Sequence, residues 1–447
     1  MTKTASKAPT KAPPKKRKAT KPAPSSVFNL LGGDNVIQAS AESLHALRSR
    51  RKNDPTNFRT LGEIKRNGIP IEHFYLQYFL GLSYIPSRCA IEIIGAEGIG
   101  KTTFVHNLIG MAARANVPSC YEETEGKPMM DEQVKRCLST NRALADKIFE
   151  RVGFTDVREI RQATKFIDEW VFDMRGRALN NKECRIPHEN PLLVAVDTWS
   201  KLMSPGQAAG YFEHGDFMKA DQVKNLKEVG EGSNLEHAKH AAWWCRRLPY
   251  LLHDHNVLLV LVSHQNAKID MGGGTSYMSA DTGKLYNKTK IGGNAFNQNC
   301  AIQIILAPGA MAKNGSNEVT GRIIRARVDK NSFGPDNRQI EYELRTRYTQ
   351  DTAEFQESPL QLDEAMAKWF TDEHVLGTTA ASKRFTCEKL GVIGGDATDL
   401  SKALHARPEV MAALAKDLCI KGYDDPVEEI MAPPPDVTAK VDPGLST

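Results

Sequence analysis

Residues 95–103 read GAEGIGKTT, which fits the phosphate-loop pattern G-x-x-x-x-G-K-[ST]. The run Ala90–Ile94 before it is apolar and predicts a buried strand, and Phe104–Ala113 after it has the apolar spacing of a helix. Strand, glycine loop and helix in this order predict an α/β fold that binds a nucleoside triphosphate. A glycine-rich turn that happens to contain a lysine is the alternative. Lys101 is expected to reach the β- and γ-phosphates and the Thr102 hydroxyl to hold Mg²⁺, in a cradle made of Gly95, Ala96, Glu97, Gly98, Ile99, Gly100, Lys101, Thr102 and Thr103.

Strand-like apolar runs alternate with helical patterns over residues 61–350. This alternation predicts an α/β core, with a mostly parallel central sheet and helices on both faces. The predicted strands are Ala90–Ile94, Pro118–Glu122, Leu192–Asp197, Val257–Ser263, Ala301–Leu306 and Arg322–Val328.

Charge is distributed unevenly along the chain. Residues 1–25 hold eight basic residues and no acid, whereas 424–447 hold six acids, five prolines and one lysine. Such compositions predict a disordered basic tail and a disordered acidic tail. Between them we expect a small N-terminal oligomerisation module at 26–60, the core, and a mostly helical C-terminal domain at 351–423 with helices near Leu362–Phe370 and Val410–Cys419.

Composition also narrows the class of protein. No apolar run reaches the ~18 residues of a membrane span, and no apolar signal core follows the basic start, so we expect a soluble intracellular protein with no membrane partner. The eight cysteines include no C-x-x-C pair, which argues against a zinc site or a disulfide framework.

Acidic residues follow two further predicted strands. Asp197 ends an apolar run, and a carboxylate there can bind a magnesium-bound water, although capping of the next helix is the alternative. Glu122, Glu123 and Glu125 form an unusual carboxylate cluster, from which one group is expected to act on a water near the γ-phosphate. A solvent-facing acidic turn is an equally good interpretation.

The run Val257–Ser263 is followed by His264, Gln265 and Asn266. A glutamine at this edge could hydrogen-bond the γ-phosphate and transmit its presence to the segment 266–291. That segment interleaves glycines, lysines and tyrosines, which suits a single nucleic-acid strand, with amines on phosphates and rings against bases.

Together these motifs resemble the RecA/RadA family of strand-exchange recombinases, over about residues 60–348. The phosphate loop is similar to the family's GPESSGKTT, Asp197-Thr198 matches its second nucleotide motif, and Gln265 stands at its switch glutamine. The remaining matching segments are Glu123-Thr124-Glu125-Gly126 (family D-T-E-G), Lys290-Ile291-Gly292-Gly293-Asn294-Ala295 (T-G-G-N-A) and Val328-Asp329-Lys330-Asn331-Ser332 before Pro335 (V-V-K-N-K…P).

The resemblance implies a RecA-like ATPase core that forms a helical filament on single-stranded DNA and exchanges strands with double-stranded DNA. It implies ATP and Mg²⁺ as cofactors, with Glu125, Lys101 and Gln265 as catalytic residues and Thr102 and Asp197 at the metal. Lys330 would reach the ATP of the neighbouring subunit. Further partners would be other copies of the chain and a single-stranded DNA-binding protein.

The expected location is the cytoplasm of a bacterium, or the nucleoid of a phage-infected host, since a divergent core with charged tails suits a bacteriophage-encoded member. Pro14-Lys15-Lys16-Arg17-Lys18 also allows nuclear import.

The chain departs from the family at three places. Glu123 stands where the family usually has Asp, and Ser263-His264 replaces the residues that usually precede the switch glutamine. Ser332 stands where the family has a second bridging lysine. The first DNA loop would lie at 203–234, and Arg246 and Arg247 after it could face either DNA or solvent. Two alternatives are a RecA-fold hexameric helicase and a mediator paralogue that binds ATP without hydrolysing it.

Overall fold

The structure is a computed structural model, and the residues that it describes fall within one structural unit, Arg66–Thr447. The described residues are 68–126, 131–176, 186–204, 239–267, 288–290, 299–346 and 358–422, with backbone alone for 265–267 and 288–290. Several sequence predictions lie outside them: both tails, the module at 26–60, and most of the two expected DNA loops.

Short strands and helices alternate along the described residues. The helices are α1 (Phe74–Leu80), α2 (Lys101–Arg114), α3 (Asp131–Leu138), α4 (Arg142–Arg151), α5 (Ile160–Met174), α6 (Leu362–Asp372), α7 (Ala397–His405) and α8 (Pro408–Asp417), and residues 239–249 are also helical. The strands are β1 (Gly68–Pro70), β2 (Tyr84–Pro86), β3 (Cys89–Gly95), β4 (Ser119–Glu123), β5 (Gly153–Asp156), β6 (Leu192–Asp197), β7 (Val257–Ala267), β8 (Lys288–Lys290), β9 (Cys300–Lys313), β10 (Val319–Asn331), β11 (Gln339–Arg345), β12 (Leu360–Gln361), β13 (Thr379–Ala381), β14 (Arg384–Cys387) and β15 (Val392–Gly395).

One large sheet organises the molecule, in the strand order β12-β11-β10-β9-β3-β7-β6-β4-β5, with β8 paired to β7. Its six strands from β9 to β5 in this order are mutually parallel, and β8, β10, β11 and β12 pair antiparallel. Every residue of β3 and β6 is buried, as expected for parallel strands covered on both faces. The predicted α/β fold, with a mostly parallel sheet, is therefore confirmed.

Helices cover both faces of this sheet, because alternate residues of a strand point to opposite sides. On one face Ile91 packs in a core with Phe104 of α2. On the other face Ala90 packs in a second core with Ile167 of α5 and Trp244 of the helical stretch 239–249. Among the described helices, none is long and apolar enough to span a bilayer.

Segments 131–174 and 360–417 hold elements that the sequence did not predict. The first adds α3, α4, edge strand β5 and α5 beside β4. In the second, α6 and α8 match the two predicted helices, while α7 and the antiparallel sheet β13-β14-β15 were not foreseen. Helix α6 packs on α1, where the Trp369 and Tyr78 rings stack with centroids 4.3 Å apart. All described cysteines are free thiols, buried except Cys419.

The carboxyl ends of β3, β4, β6 and β7 converge at one edge of the sheet. Gly95 ends β3, Glu123 ends β4 and Asp197 ends β6, while β7 reaches this edge just after Ser263. Strand pairing places Gly95 opposite His264 and Glu123 opposite Asp197. In open α/β sheets ligands bind outside this edge. The candidate site is therefore built from these four strand ends.

Candidate functional site

The loop between β3 and α2 has the backbone of an anion cradle. Gly98 and Gly100 adopt left-handed φ angles of 73° and 85°, and Gly100 precedes α2 without a side-chain capping bond. The first N–H groups of α2 therefore have no side-chain acceptor at the cap, which favours an anion there. A Cβ atom added to Gly98 would meet nothing within 4 Å, whereas one added to Gly100 would lie 2.5 Å from Leu344 Cδ2. The loop is thus open at Gly98 and closely packed at Gly100.

Lys101 opens α2 and folds back over the loop. Its side chain is buried, with Nζ 3.1 Å from the Gly95 carbonyl oxygen, 2.6 Å from that of Ala96 and 3.3 Å from His264 Nδ1. A lysine amine held at the mouth of a glycine loop beside a helix N-terminus fits a polyphosphate.

The three clustered carboxylates of β4 do different things. Glu122 points into the core, where burial raises its pKa well above the usual range and, among the described residues, neither oxygen has a hydrogen-bond partner. Glu123 accepts the backbone N–H groups of Glu125 and Gly126, both at 2.8 Å, and an Arg158 N–H at 3.1 Å. Glu123 therefore shapes the turn, and Glu125 is the carboxylate that this turn presents to the site.

Glu125 meets the ends of two other strands. Its Oε1 lies 2.5 Å from His264 Nε2 on β7 and 2.7 Å from the Thr198 hydroxyl after β6. The Thr198 hydroxyl is also 2.9 Å from Asp197 Oδ1, and its single hydrogen can be donated to only one carboxylate at a time. Because His264 can supply a hydrogen bond to Glu125, the Thr198 hydroxyl is able to donate its hydrogen to Asp197 instead.

Asp197 is buried at the end of β6, where the Tyr121 hydroxyl donates to its Oδ2 at 3.0 Å. Burial, with the charge of Asp197 and this hydrogen bond, raises the pKa of Tyr121, which keeps the phenol a donor. Burial lowers the pKa of nearby His106 to about 4, although the negative charge of Asp197 acts in the opposite direction and raises it.

Two predicted metal-binding residues lie at this edge. The Thr102 side chain is exposed on the first turn of α2, and Asp197 ends β6. The described residues contain no group of three or more His, Cys, Asp or Glu that could hold a metal alone. One hydroxyl and one carboxylate fit Mg²⁺, which usually keeps several waters and binds phosphate oxygens as well.

His264 is the site residue that motif matching missed. The sequence prediction concerned Gln265, whose side chain lies outside the described residues, and β7 runs on to Ala267 rather than ending at Ser263. The predicted loop 266–291 is therefore partly strand, with Gln265 paired to Lys290. The apolar alternation Leu258, Val260, Val262 on the α2 face was the available signal, because a period of two places residue 264 on the same face.

Lys330 does not join this group. It pairs with Gln303 on β9, which in turn pairs with Glu92 on β3. Lys330 is thus displaced from Gly95 by three residues of strand (~10 Å) and two strand spacings (~10 Å). At this separation the Lys330 side chain does not reach its own glycine loop.

The arginines after the first expected DNA loop differ in their surroundings. Arg246 is exposed, whereas Arg247 pairs with Asp168 of α5 at 2.8 Å and lies 5.0 Å from the Trp243 ring centroid. Arg247 thus has a contact within the chain.

Comparison with known proteins found distant relatives. The chain is 22% identical over 269 residues to the RecA protein of Sulfurovum sp. (strain NBC37-1), covering 60% of this chain and 62% of that protein. It is also 22% identical over 269 residues to the RecA protein of Paracoccus denitrificans, covering 60% and 61%. The match spans about three fifths of the length of these curated relatives. No family model matches the chain. The comparisons thus establish a distant similarity between this chain and RecA proteins.

Proposed function

We propose that the chain is an ATP-dependent DNA recombinase, a DNA-dependent ATPase that forms helical filaments on single-stranded DNA and promotes homologous pairing and strand exchange in recombination and repair. One observation carries the proposal: four strand ends bring Lys101, Glu125, Asp197 and His264 into one buried polar group beside the glycine loop. The similarity to RecA proteins supports the choice of activity for such a group.

Each residue has a definite part in this proposal. Lys101 turns its amine from the carbonyls of Gly95 and Ala96 and from His264 Nδ1 to phosphate oxygens, and the Thr102 hydroxyl and Asp197 hold Mg²⁺. Bound Mg²⁺–ATP supplies the γ-phosphoryl group that water attacks. Glu125 orients that water and accepts its hydrogen bond.

The position of Lys330 supports the proposed assembly. Because its amine lies too far from its own loop, a role at ATP needs a second copy whose loop faces this strand. Copies related head to tail in this way form an open helical filament, unless the rotation between successive copies brings the last copy back to the first and closes a ring. ATP between successive copies would then stabilise the filament.

The DNA-binding part of the proposal rests on β7. Gln265 pairs with Lys290, which lies two residues before the Gly292-Gly293-Asn294-Ala295 segment. A change at the strand end would thus reach residues 266–291, proposed to contact single-stranded and double-stranded DNA. A single-stranded DNA-binding protein would compete for the same strand.

The substitutions Lys101→Ala and Glu125→Gln test the proposal. For each variant, phosphate release is measured in the presence and in the absence of single-stranded DNA, and nucleotide binding is measured in a separate experiment. Lys101→Ala should weaken nucleotide binding about tenfold to hundredfold, since hydrogen bonds to charged groups contribute ~1.5–3 kcal/mol. Glu125→Gln should keep binding and lower DNA-stimulated hydrolysis by about 10²-fold or more.

Lys147→Ala and Glu150→Gln, at exposed positions of α4, are the matched controls and should behave as the wild type. Equal, negligible hydrolysis in the wild type and both variants, with nucleotide still bound, would instead identify a non-hydrolysing mediator. Directional unwinding of a duplex would identify a helicase.

A further inference from the structure

His264 joins two groups that nucleotide chemistry requires. Its Nδ1 lies 3.3 Å from Lys101 Nζ and its Nε2 lies 2.5 Å from Glu125 Oε1, all three side chains being buried. An ammonium can only donate, so Nδ1 accepts from Lys101 and Nε2–H donates to Glu125. One imidazole therefore connects the phosphate lysine of α2 to the carboxylate after β4.

This connection competes with phosphate for Lys101. Among the described residues, acceptors within hydrogen-bond distance of its Nζ include the Gly95 and Ala96 carbonyl oxygens and His264 Nδ1. Phosphate oxygens need the same ammonium hydrogens, which number three. When Lys101 donates to phosphate, His264 loses its donor on that side.

The strand that carries His264 is anchored immediately before it. The Ser263 hydroxyl donates to Glu92 Oε1 at 2.6 Å, and Gln303 donates to Glu92 Oε2 at 2.8 Å, in the fully buried centre of the sheet. The pairing of β7 with β6 ends at Leu261. The residue before His264 is thus fixed to β3 and β9.

After His264 the main sheet no longer holds β7. Among the described residues, its pairing with β3 ends at His264 opposite Gly95, and the next three residues pair only with β8. The His264 N–H donates to the Ser200 hydroxyl at 3.0 Å. His264 therefore stands at the boundary between the anchored strand and the β7–β8 pair.

We propose that His264 is the positioning residue that couples occupation of the phosphate loop to the β7–β8 pair. With Lys101 bound to His264, the imidazole holds Glu125 and the end of β7 in the arrangement described. With Lys101 bound to phosphate, His264 moves, and residues 265–267 carry β8 with them. This gives His264 the coupling role expected of Gln265, and it rests on the proposed function.

The test compares the wild type with His264→Ala, His264→Gln and the control His253→Gln, at an exposed residue. The affinity for fluorescent single-stranded DNA is measured without nucleotide and with a non-hydrolysable ATP analogue. Hydrogen exchange at residues 257–267 is followed with and without the analogue, in the absence of DNA. Thermal unfolding shows that each variant is folded.

In the wild type and His253→Gln the analogue should strengthen DNA binding by about fivefold or more, the usual size of such coupling, and change exchange at 257–267. His264→Ala should bind the analogue but show neither response. His264→Gln should recover part of both, since an amide carries an acceptor and a donor.

Wild-type responses in a folded His264→Ala variant would overturn the role of His264 and leave the proposed function standing. A wild type that binds no analogue would overturn the proposed function itself. If His264→Ala does not fold, His264→Asn decides the outcome. This variant is expected to lose the effect of the analogue on DNA binding and on hydrogen exchange, because its shorter amide spans less of the gap between Lys101 and Glu125. A full response in His264→Asn would then refute the proposal.

Discussion

At the scale of single residues, Glu92 places a carboxyl group at the fully buried centre of β3. Hydrogen bonds from Ser263 and Gln303 satisfy its two oxygens. A buried polar group with partners on two neighbouring strands fixes their relative positions more specifically than apolar packing does. The carboxyl group of Glu92 thus holds β7 in place at Ser263, one residue before His264.

Replacing Glu92 by leucine should lower the free energy of unfolding by about 2–4 kcal/mol, because Ser263 and Gln303 would be left buried without their acceptor. Urea unfolding measures this change. Glu150→Leu at an exposed helical position is the control and should alter stability by less than ~0.5 kcal/mol. Equal stability of the two variants would show that Glu92 does not hold these strands.

Local sequence predicted the strand and the helix that flank the glycine loop, but it could not assign roles within the carboxylate cluster. Glu122 points into the core, whereas Glu123 is held by the turn and by Arg158 from beyond β5. His264 was missed because motif comparison drew attention to Gln265, although the period of two in β7 already placed residue 264 on the α2 face. Contacts with a distant residue therefore decided the first case, whereas the local pattern was enough to locate His264.

Among the elements, the buried parallel strands were predictable and the exposed ones were not. Strands such as β6 are continuous apolar runs, which sequence patterns reveal. Strand β5 is a four-residue edge strand of alternating exposure, and β9 and β10 extend past their apolar runs into a partly exposed hairpin. Their pairing depends on neighbouring strands rather than on local composition.

The junction of α1 and α6 gives a prediction about pH. His73 caps α1 and lies 2.7 Å from Asp363 in the first turn of α6. Burial opposes ionisation of Asp363, but the hydrogen bond and charge of His73, with Ser401 and His405, outweigh it and lower the pKa of Asp363. A lowered pKa in the folded state stabilises the fold above the unfolded value of ~3.9, and this stabilisation is lost as the pH falls through the folded value.

Asp363→Asn should therefore lower stability at pH 5 by about 0.5–1 kcal/mol, a small value because the carboxylate is partly exposed. The difference from the wild type should shrink as the pH is lowered below ~3.9. Thermal unfolding at a series of pH values measures it. A difference that is the same at pH 5 and at the lowest pH would contradict the role of the charge.

For the whole molecule, the central claim is an ATP-dependent filament on DNA. Lys330 lies too far from its own loop to contact a nucleotide there, and we propose that the β7–β8 pair links the nucleotide site to the expected DNA segment. The sequence resemblance predicted this assembly from motif order.

Negative-stain electron microscopy of the full chain, with single-stranded DNA and a non-hydrolysable ATP analogue, tests this claim most directly. Open helical filaments are expected when both ligands are present, and none when the analogue is omitted. Lys330→Ala should shorten or abolish these filaments, and Lys147→Ala should leave them unchanged. Closed rings, or no assembly in the presence of both ligands, would contradict the account.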